Sequence, residues 1–361
     1  MDNQKLFLII AIFLSIFILS EQWDRQHAVD VNGDLLYQPK TERNTSALAK
    51  NDADIPSAIV TNSTLDVPAT KITNTDQFIT VSSDLLTVNI SNKGGTITNA
   101  WLNDYPIELG SESHFQLLSD TPNELFQAQS GLLPSEQMPT HHSMFSSTQT
   151  SYQMQGDSLV VPLIWKGDNG VVVTKNYHFT RGSYLVDIDY QVSNNSNKNI
   201  AITSYTQLVR NALDQSSMMM PTYTGGAKYD DQEVYEKIEF DEFNEQPETT
   251  SKGGWSAMIQ HYFFVAMIPE TQATHNYSAK VNNGKYLLTV VNPAQNVASG
   301  STATLGKNSL YIGPKEQIHI GNLVPGLDKT VDYGILFIIA KPLSEVLNWL
   351  YAYVGSWGYA I

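Results

Sequence analysis

The sequence predicts a mainly β protein, an antiparallel β-sandwich carrying one N-terminal transmembrane helix and one C-terminal amphipathic helix. Three observations carry this reading. Short alternations of apolar and polar residues, separated by turn residues, recur from Phe78 onward. Period-2 segments of this kind have one buried and one wet face, and many of them at near-regular spacing suit a sandwich rather than a βαβ fold. Residues 6–20 read LFLIIAIFLSIFILS, without a charge, a proline or a glycine. Residues 341–355 place leucines and valines at helical spacing after a Lys-Pro pair.

The N-terminal run, extended by Gln22 and Trp23, approaches the ~20 residues that cross a bilayer as a helix. Leu6, Phe13 and Phe17 lie on this anchor, and Trp23 falls where an interfacial aromatic belongs. A cleaved signal peptide is the competing reading. Ser20 preceded by Ile18 makes a poor small-x-small cleavage site, and Glu21-Gln22-Trp23-Asp24 follows, so residues 1–23 are read as an uncleaved anchor. Lys5 and the terminal amine set the N-terminus in the cytoplasm and the bulk of the chain across the membrane.

Residues 24–75 are rich in Asn, Thr, Ser, Asp, Ala and Pro without an apolar period. Such a stretch buries too little surface to offset ordering entropy and is read as a disordered linker. Residues 76–340 are the expected β domain. FITVSSDLLTVNI runs into Asn92-Lys93-Gly94-Gly95 and then TITNAWL, a strand, a tight turn and a strand. Two strands flank Gly167-Asp168-Asn169-Gly170, and two more flank residues 193–198. Val186, Ile188 and Tyr190 face one side of their strand; Asp187, Asp189 and Gln191 face the other. GKYLLTVV, STATLGKNSLYIG and GILFIIA continue the pattern, the last as a final buried strand.

Composition limits the chemistry. A net charge of −15 argues against nucleic acid and against attraction to anionic lipid. With no cysteine, disulfides, thiolate metal sites and a Cys nucleophile are excluded. No phosphate-binding loop, dinucleotide fingerprint, His-Glu-x-x-His or nucleophile elbow is present. His141-His142 is the single adjacent histidine pair; on a strand the two side chains would point apart, so a solvated loop is expected rather than a metal site. Met218 to Met220 read as a loop pinned to the core. Asp230-Asp231 and Asp241-Glu242 read as solvated charge rather than paired catalytic carboxylates. No catalytic, cofactor or metal residue is assigned, and an enzyme is not expected.

In the C-terminal segment Pro342 sits where a helix starts. Leu343, Val346, Leu347, Leu350 and Val354 follow on one face; Ser344, Glu345 and Asn348 fall on the other, and Trp349, Tyr351, Tyr353 and Trp357 form an aromatic fringe. Such a helix at 341–355 caps a core or lies in the headgroup plane of a membrane. Residues 356–361 look like the opening of a second span.

SKGGWSAMIQHYFFVAMIP (residues 251–269) and GLDKTVDYGILFIIAKPLSEVLNWLYAYVGSWGYAI (326–361) resemble the YidC membrane protein insertase family of Gram-negative bacteria. NKGGTITNAWL, FQLLSD, FQAQSGLL, KNYHFTRGSYLVDIDYQV and YEKIEF fit the same family in the same order. The resemblance implies an inner-membrane protein whose large periplasmic domain is a twisted, mutarotase-like β-supersandwich. It also implies an interfacial helix leading toward a second transmembrane helix, with the insertion groove and its cation beyond Ile361. The implied partners are the lipid bilayer, nascent membrane proteins held by that groove, and Sec translocon accessory subunits, contacted around residues 205–243. The implied function is insertion and folding of inner-membrane proteins, alone or with the translocon. The alternative from another class is a membrane-anchored periplasmic carbohydrate-binding or carbohydrate-modifying protein.

Overall fold

In a computed structural model, the described residues are 54–56, 77–108, 110–134, 137–211, 223–232, 234–316, 320, 323–331, 346, 347, 349–351 and 353–355. The predicted anchor residues Leu6, Phe13, Phe17 and Trp23 lie outside them, as do Met218 to Met220, the predicted strand at 334–340, and Pro342, Leu343 and Trp357. By contacts the chain divides into Met1–Asn51 and Asp52–Ile361, and all described residues belong to the second unit. Among them no helix is long and apolar enough to cross a membrane.

Among the described residues, nineteen strands form two sheets. In chain order they are β1 (Phe78–Ser82), β2 (Leu86–Ser91), β3 (Ile97–Pro106), β4 (His114–Leu118), β5 (Phe126–Leu133), β6 (Ser151–Gln153), β7 (Ser158–Lys166), β8 (Val171–Thr180), β9 (Leu185–Asn194) and β10 (Ile200–Asn211). They continue with β11 (Gly225–Tyr229), β12 (Tyr235–Ile238), β13 (Thr249–Lys252), β14 (Trp255–Gln260), β15 (Phe263–Ile268), β16 (Thr274–Asn282), β17 (Lys285–Val291), β18 (Gln295–Val297) and β19 (Ser301–Pro314). The first sheet runs β13-β16-β17-β10-β5-β3-β2-β1-β6, with β18 on β10 and β4 on β3; the second runs β12-β11-β14-β15-β19-β9-β8-β7. Pairing is antiparallel except β1 with β6. This is the predicted mainly β, antiparallel architecture.

The alternation predicted from sequence is the alternation observed. In β9, Val186, Ile188, Tyr190 and Val192 are buried while the residues between them are not. In β8, Val171, Val173, Tyr177 and Phe179 point inward in the same phase, and so does Lys175. Central strands lose the alternation, because both of their faces are covered: β15 is buried along its whole length, and β10 from Ile202 to Arg210. Trp255 of β14 is fully buried, stacks on Tyr229 at 5.9 Å and donates its indole N–H to Pro325 O at 3.2 Å.

The turn at Asn92–Gly95 joins β2 to β3 as expected, with Gly94 and Gly95 at φ of +71° and +62°. Residues 193–198 do something the local pattern does not encode. They carry the chain from β9 in the second sheet to β10 in the first, and Asn194 holds the crossing by donating from Nδ2 to Lys198 O at 2.8 Å and Val297 O at 3.1 Å.

Candidate functional site

Two regions concentrate groups that a folded core does not require. The first is the C-terminal helix. Val346, Leu347, Trp349, Leu350, Tyr351, Tyr353 and Val354 are helical. The segment closes on Gly355, which has a φ of +70° and donates its N–H to Tyr351 O at 2.7 Å; this is the left-handed glycine stop that satisfies a terminal carbonyl. Trp349 and Tyr353, one turn apart, meet at 6.1 Å between ring centroids. Of the predicted interfacial residues, Val346 is 52% exposed and Trp349 64%, while Leu347 and Leu350 are half-buried. Tyr353, at 85%, and Val354 extend the exposed apolar surface. A globular core would have drawn these side chains in.

The second region is the junction of the Gly94-Gly95 turn, the 140–143 turn and strands β5, β8 and β10. Lys175 enters it from β8 and is fully buried. Its Nζ donates to Gly94 O at 2.8 Å, Ser130 O at 3.2 Å and Gly95 O at 3.4 Å. It lies 5.3–5.9 Å from the ring centroids of Tyr177, Tyr190 and Phe145. Burial pushes its pKa well below the usual lysine value. The Tyr177 hydroxyl also donates to Gly95 O.

Here the reading of His141-His142 as a solvated loop is corrected in one respect: the loop is present, but His141 is not solvated. The pair lies in a turn, as the expected loop requires, but the turn brings its two rings together with centroids 4.0 Å apart. His141 is buried at 3% exposure. Both rings reach one carboxylate: His141 Nε2 lies 3.1 Å from Asp54 Oδ2, and His142 Nε2 lies 3.0 Å from Asp54 Oδ1. His141 Nδ1 shares a 2.7 Å hydrogen bond with the Tyr205 hydroxyl, which also accepts the His141 backbone N–H. Gly94 is what lets the turn approach: a Cβ there would stand 2.2 Å from His141 O. Burial acts to raise the Asp54 pKa, but hydrogen bonds from His141 and His142 outweigh it and hold the carboxyl far below the usual range. Burial lowers His141 despite Asp54. The two directions describe an ionised carboxylate held by imidazole N–H donors. Asp54 belongs to the stretch read as a linker, and its neighbour Ile55 packs against Leu133, Tyr205 and Val291.

The acidic pairs serve the backbone. Asp230 Oδ1 accepts from Gln232 N and Val234 N, and Asp231 Oδ2 from Lys252 N. Glu242 Oε2 accepts from Glu239 N, at the start of the 3-10 turn Phe240–Glu242. A hollow of about 430 Å³ is walled by Tyr105, Tyr262, Phe263 and Pro314, and the Tyr105 hydroxyl donates to Glu316 Oε1 there at 2.6 Å. The expected contact region at 205–243 is narrowed: Tyr205 to Arg210 are buried in the middle of the first sheet and offer no surface. Among the described residues of that range, the exposed ones lie around β12, an end strand of the second sheet.

Fold and sites together define a large two-sheet antiparallel β domain with an apolar, aromatic-edged helix in the same compact unit. Residues 78–346 match the YidC periplasmic domain family. Over its whole length the chain is 60% identical to the membrane protein insertase YidC of Vesicomyosocius okutanii and to that of Ruthia magnifica, covering 67% of each. It is 34% identical to that of Pseudoalteromonas atlantica, covering 66%. The chain belongs to the YidC membrane protein insertase family, which makes it a protein of the inner membrane. Similar solved structures include a galactose mutarotase related enzyme from Lactobacillus acidophilus, with TM-score 0.43, 10% identity and coverage of 65% of this chain and 97% of that one. A putative aldose 1-epimerase from Escherichia coli K12 has TM-score 0.37 and 12% identity, covering 66% and 99%.

Proposed function

We propose that this chain supplies the membrane anchor, the periplasmic domain and the interfacial helix of a protein that inserts and folds inner-membrane proteins, and that it acts by binding rather than by covalent catalysis. The observation that carries this is the exposed apolar face at 346–354, in a chain of this family. Side chains such as Val346, Trp349 and Tyr353 are suited to the headgroup boundary, where an aromatic ring meets both water and hydrocarbon. The N-terminus is cytoplasmic and the β domain periplasmic in this reading. Leu6, Phe13, Phe17 and Trp23 hold the anchor, Pro342, Leu343, Leu347 and Leu350 complete the interfacial helix, and Trp357 follows its glycine stop as a further interfacial aromatic. Nascent membrane proteins are the clients, and Sec translocon accessory subunits are partners whose contact surface is centred on β12.

Leu347→Glu in the intact protein tests the interfacial helix. Moving a carboxylate to the apolar boundary and removing a leucine weakens helix–membrane association by about 3 kcal/mol, roughly a hundredfold. In cells depleted of their own insertase, the variant is expected to insert a reporter membrane protein at least fivefold more slowly. Amide exchange around 346–355 in proteoliposomes is expected to speed up. Wild-type insertion together with unchanged exchange would remove the helix from the mechanism.

A further inference from the structure

The geometry points to a divalent transition-metal site formed by Asp54, His141 and His142, with zinc-like ions as its ligand class, which fastens the segment around Asp54 to the β domain. One donor atom from each residue lies within 4.8 Å of the other two. The imidazole-to-carboxylate separations of 3.0 and 3.1 Å already match donors that share an ion. With bonds of about 2.1 Å, neighbouring donors stand about 3.0 Å apart in an octahedron and about 3.4 Å apart in a tetrahedron. Two imidazoles and one carboxylate select zinc, nickel, cobalt or copper over calcium and magnesium, which take oxygen ligands.

The surroundings are built as such a centre requires. His141 is fixed by the close approach of Gly94 and by Tyr205, which receives its backbone N–H and bonds its Nδ1. A hydroxyl both donates and accepts. Tyr205 therefore serves the tautomer that gives Nε2–H to Asp54 and equally the one that leaves the Nε2 lone pair free for an ion, with Nδ1–H given to the hydroxyl. A partner on the second ring nitrogen that orients the ligand in this way is the usual support of a metal-bound histidine. His142, with 38% of its side chain exposed, provides the solvent side and room for water ligands. Lys175, a nearby cation, has its Nζ turned to three carbonyl oxygens and not to the cluster. Asp54 is the single member from before the β domain. The ion would thus join two parts of the chain that are otherwise held at this point by Ile55 against Leu133, Tyr205 and Val291.

The test is titration of the purified full chain in detergent with ZnCl2, followed by calorimetry, with Co2+ absorption as a spectroscopic check. One equivalent is expected to bind saturably. His142→Gln and Asp54→Asn, both at partly exposed positions, should each weaken Zn2+ by at least tenfold while leaving the metal-free melting temperature within a few degrees. Zn2+ is further expected to slow amide exchange of Ile55 in the wild type and not in Asp54→Asn. Two outcomes overturn the site: no saturable binding, or equal affinity in wild type and both variants. The second would assign the ion to other surface histidines and acids.

Discussion

Lys175→Ala is expected to lower the unfolding free energy by about 3–5 kcal/mol, read from urea unfolding of the wild type and variant side by side. Two effects add. The truncation leaves a cavity inside the sandwich, and it strips the carbonyls of Gly94 and Ser130 of their Nζ donor; buried acceptors without a partner cost about 1–3 kcal/mol each. Lys175→Met keeps most of the volume and is expected to lose less, about 1–3 kcal/mol. The pH dependence separates the charge from the packing. Burial holds the folded-state pKa of Lys175 well below its unfolded value. Between those two values the unfolded chain carries a proton that the folded chain lacks, so this group's contribution to stability rises with pH. Lys175→Met has no such contribution, and its deficit against wild type should therefore widen as pH climbs toward about 10. Above that point Tyr177 and Tyr190, whose pKa values burial raises, act in the opposite sense as the unfolded tyrosines ionise. A deficit that stays flat or narrows over the window below 10 would show that Lys175 is buried as a full cation.

Gly94→Ala is expected to be comparably severe, above about 3 kcal/mol. A left-handed backbone costs an L-residue about 1–2 kcal/mol by itself. The remainder comes from the new Cβ, which would stand 2.2 Å from the carbonyl oxygen of His141, a rigid backbone atom. Relief requires the two turns to part. That strains the Gly94 N–H bond to Ser143 O at 2.6 Å and the Lys175 bond to Gly94 O. Gly182→Ala is the matched control, because Gly182 has nearly the same φ, +70°, and no atom within 4 Å of its would-be Cβ. It should lose only the conformational share, about 1 kcal/mol. Equal losses in the two variants would mean that the contact between the turns is loose.

These two positions also show where sequence reasoning reaches and where it stops. The phase of β8 and β9 was legible because burial on one face enforces period 2. The turn at Asn92–Gly95 was legible because adjacent glycines mark a left-handed backbone. In hindsight, the phase of β8 marks Lys175 too: it falls in register with Val171, Val173, Tyr177 and Phe179, so its side chain had to point inward. What hides it is the general rule that lysine faces water, a rule overridden here by carbonyls contributed by two distant segments. The loop at the histidine pair was legible, but the burial of His141 was not, because its partner Asp54 lies 87 residues upstream. No local pattern joins them. The crossing at 193–198 was likewise invisible, since the same residues would serve a hairpin.

The way the strands are dealt between the sheets governs how this domain folds. β9 has finished emerging long before its neighbour β19, yet Val192 pairs with Ala303. β10 waits in the same way for β17, where Leu208 meets Leu288. Neither sheet is a continuous stretch of chain, so no N-terminal half is an autonomous folding unit. Loops must close over long separations before the ladders reward them, which places the domain among high-contact-order, slow-folding proteins. Until β19 arrives, β9 and β15 both present unpaired edges to any neighbouring chain. A domain wired in this way folds as a whole only once β19 is available, and truncation anywhere before Pro314 is expected to yield an aggregating chain rather than a smaller domain.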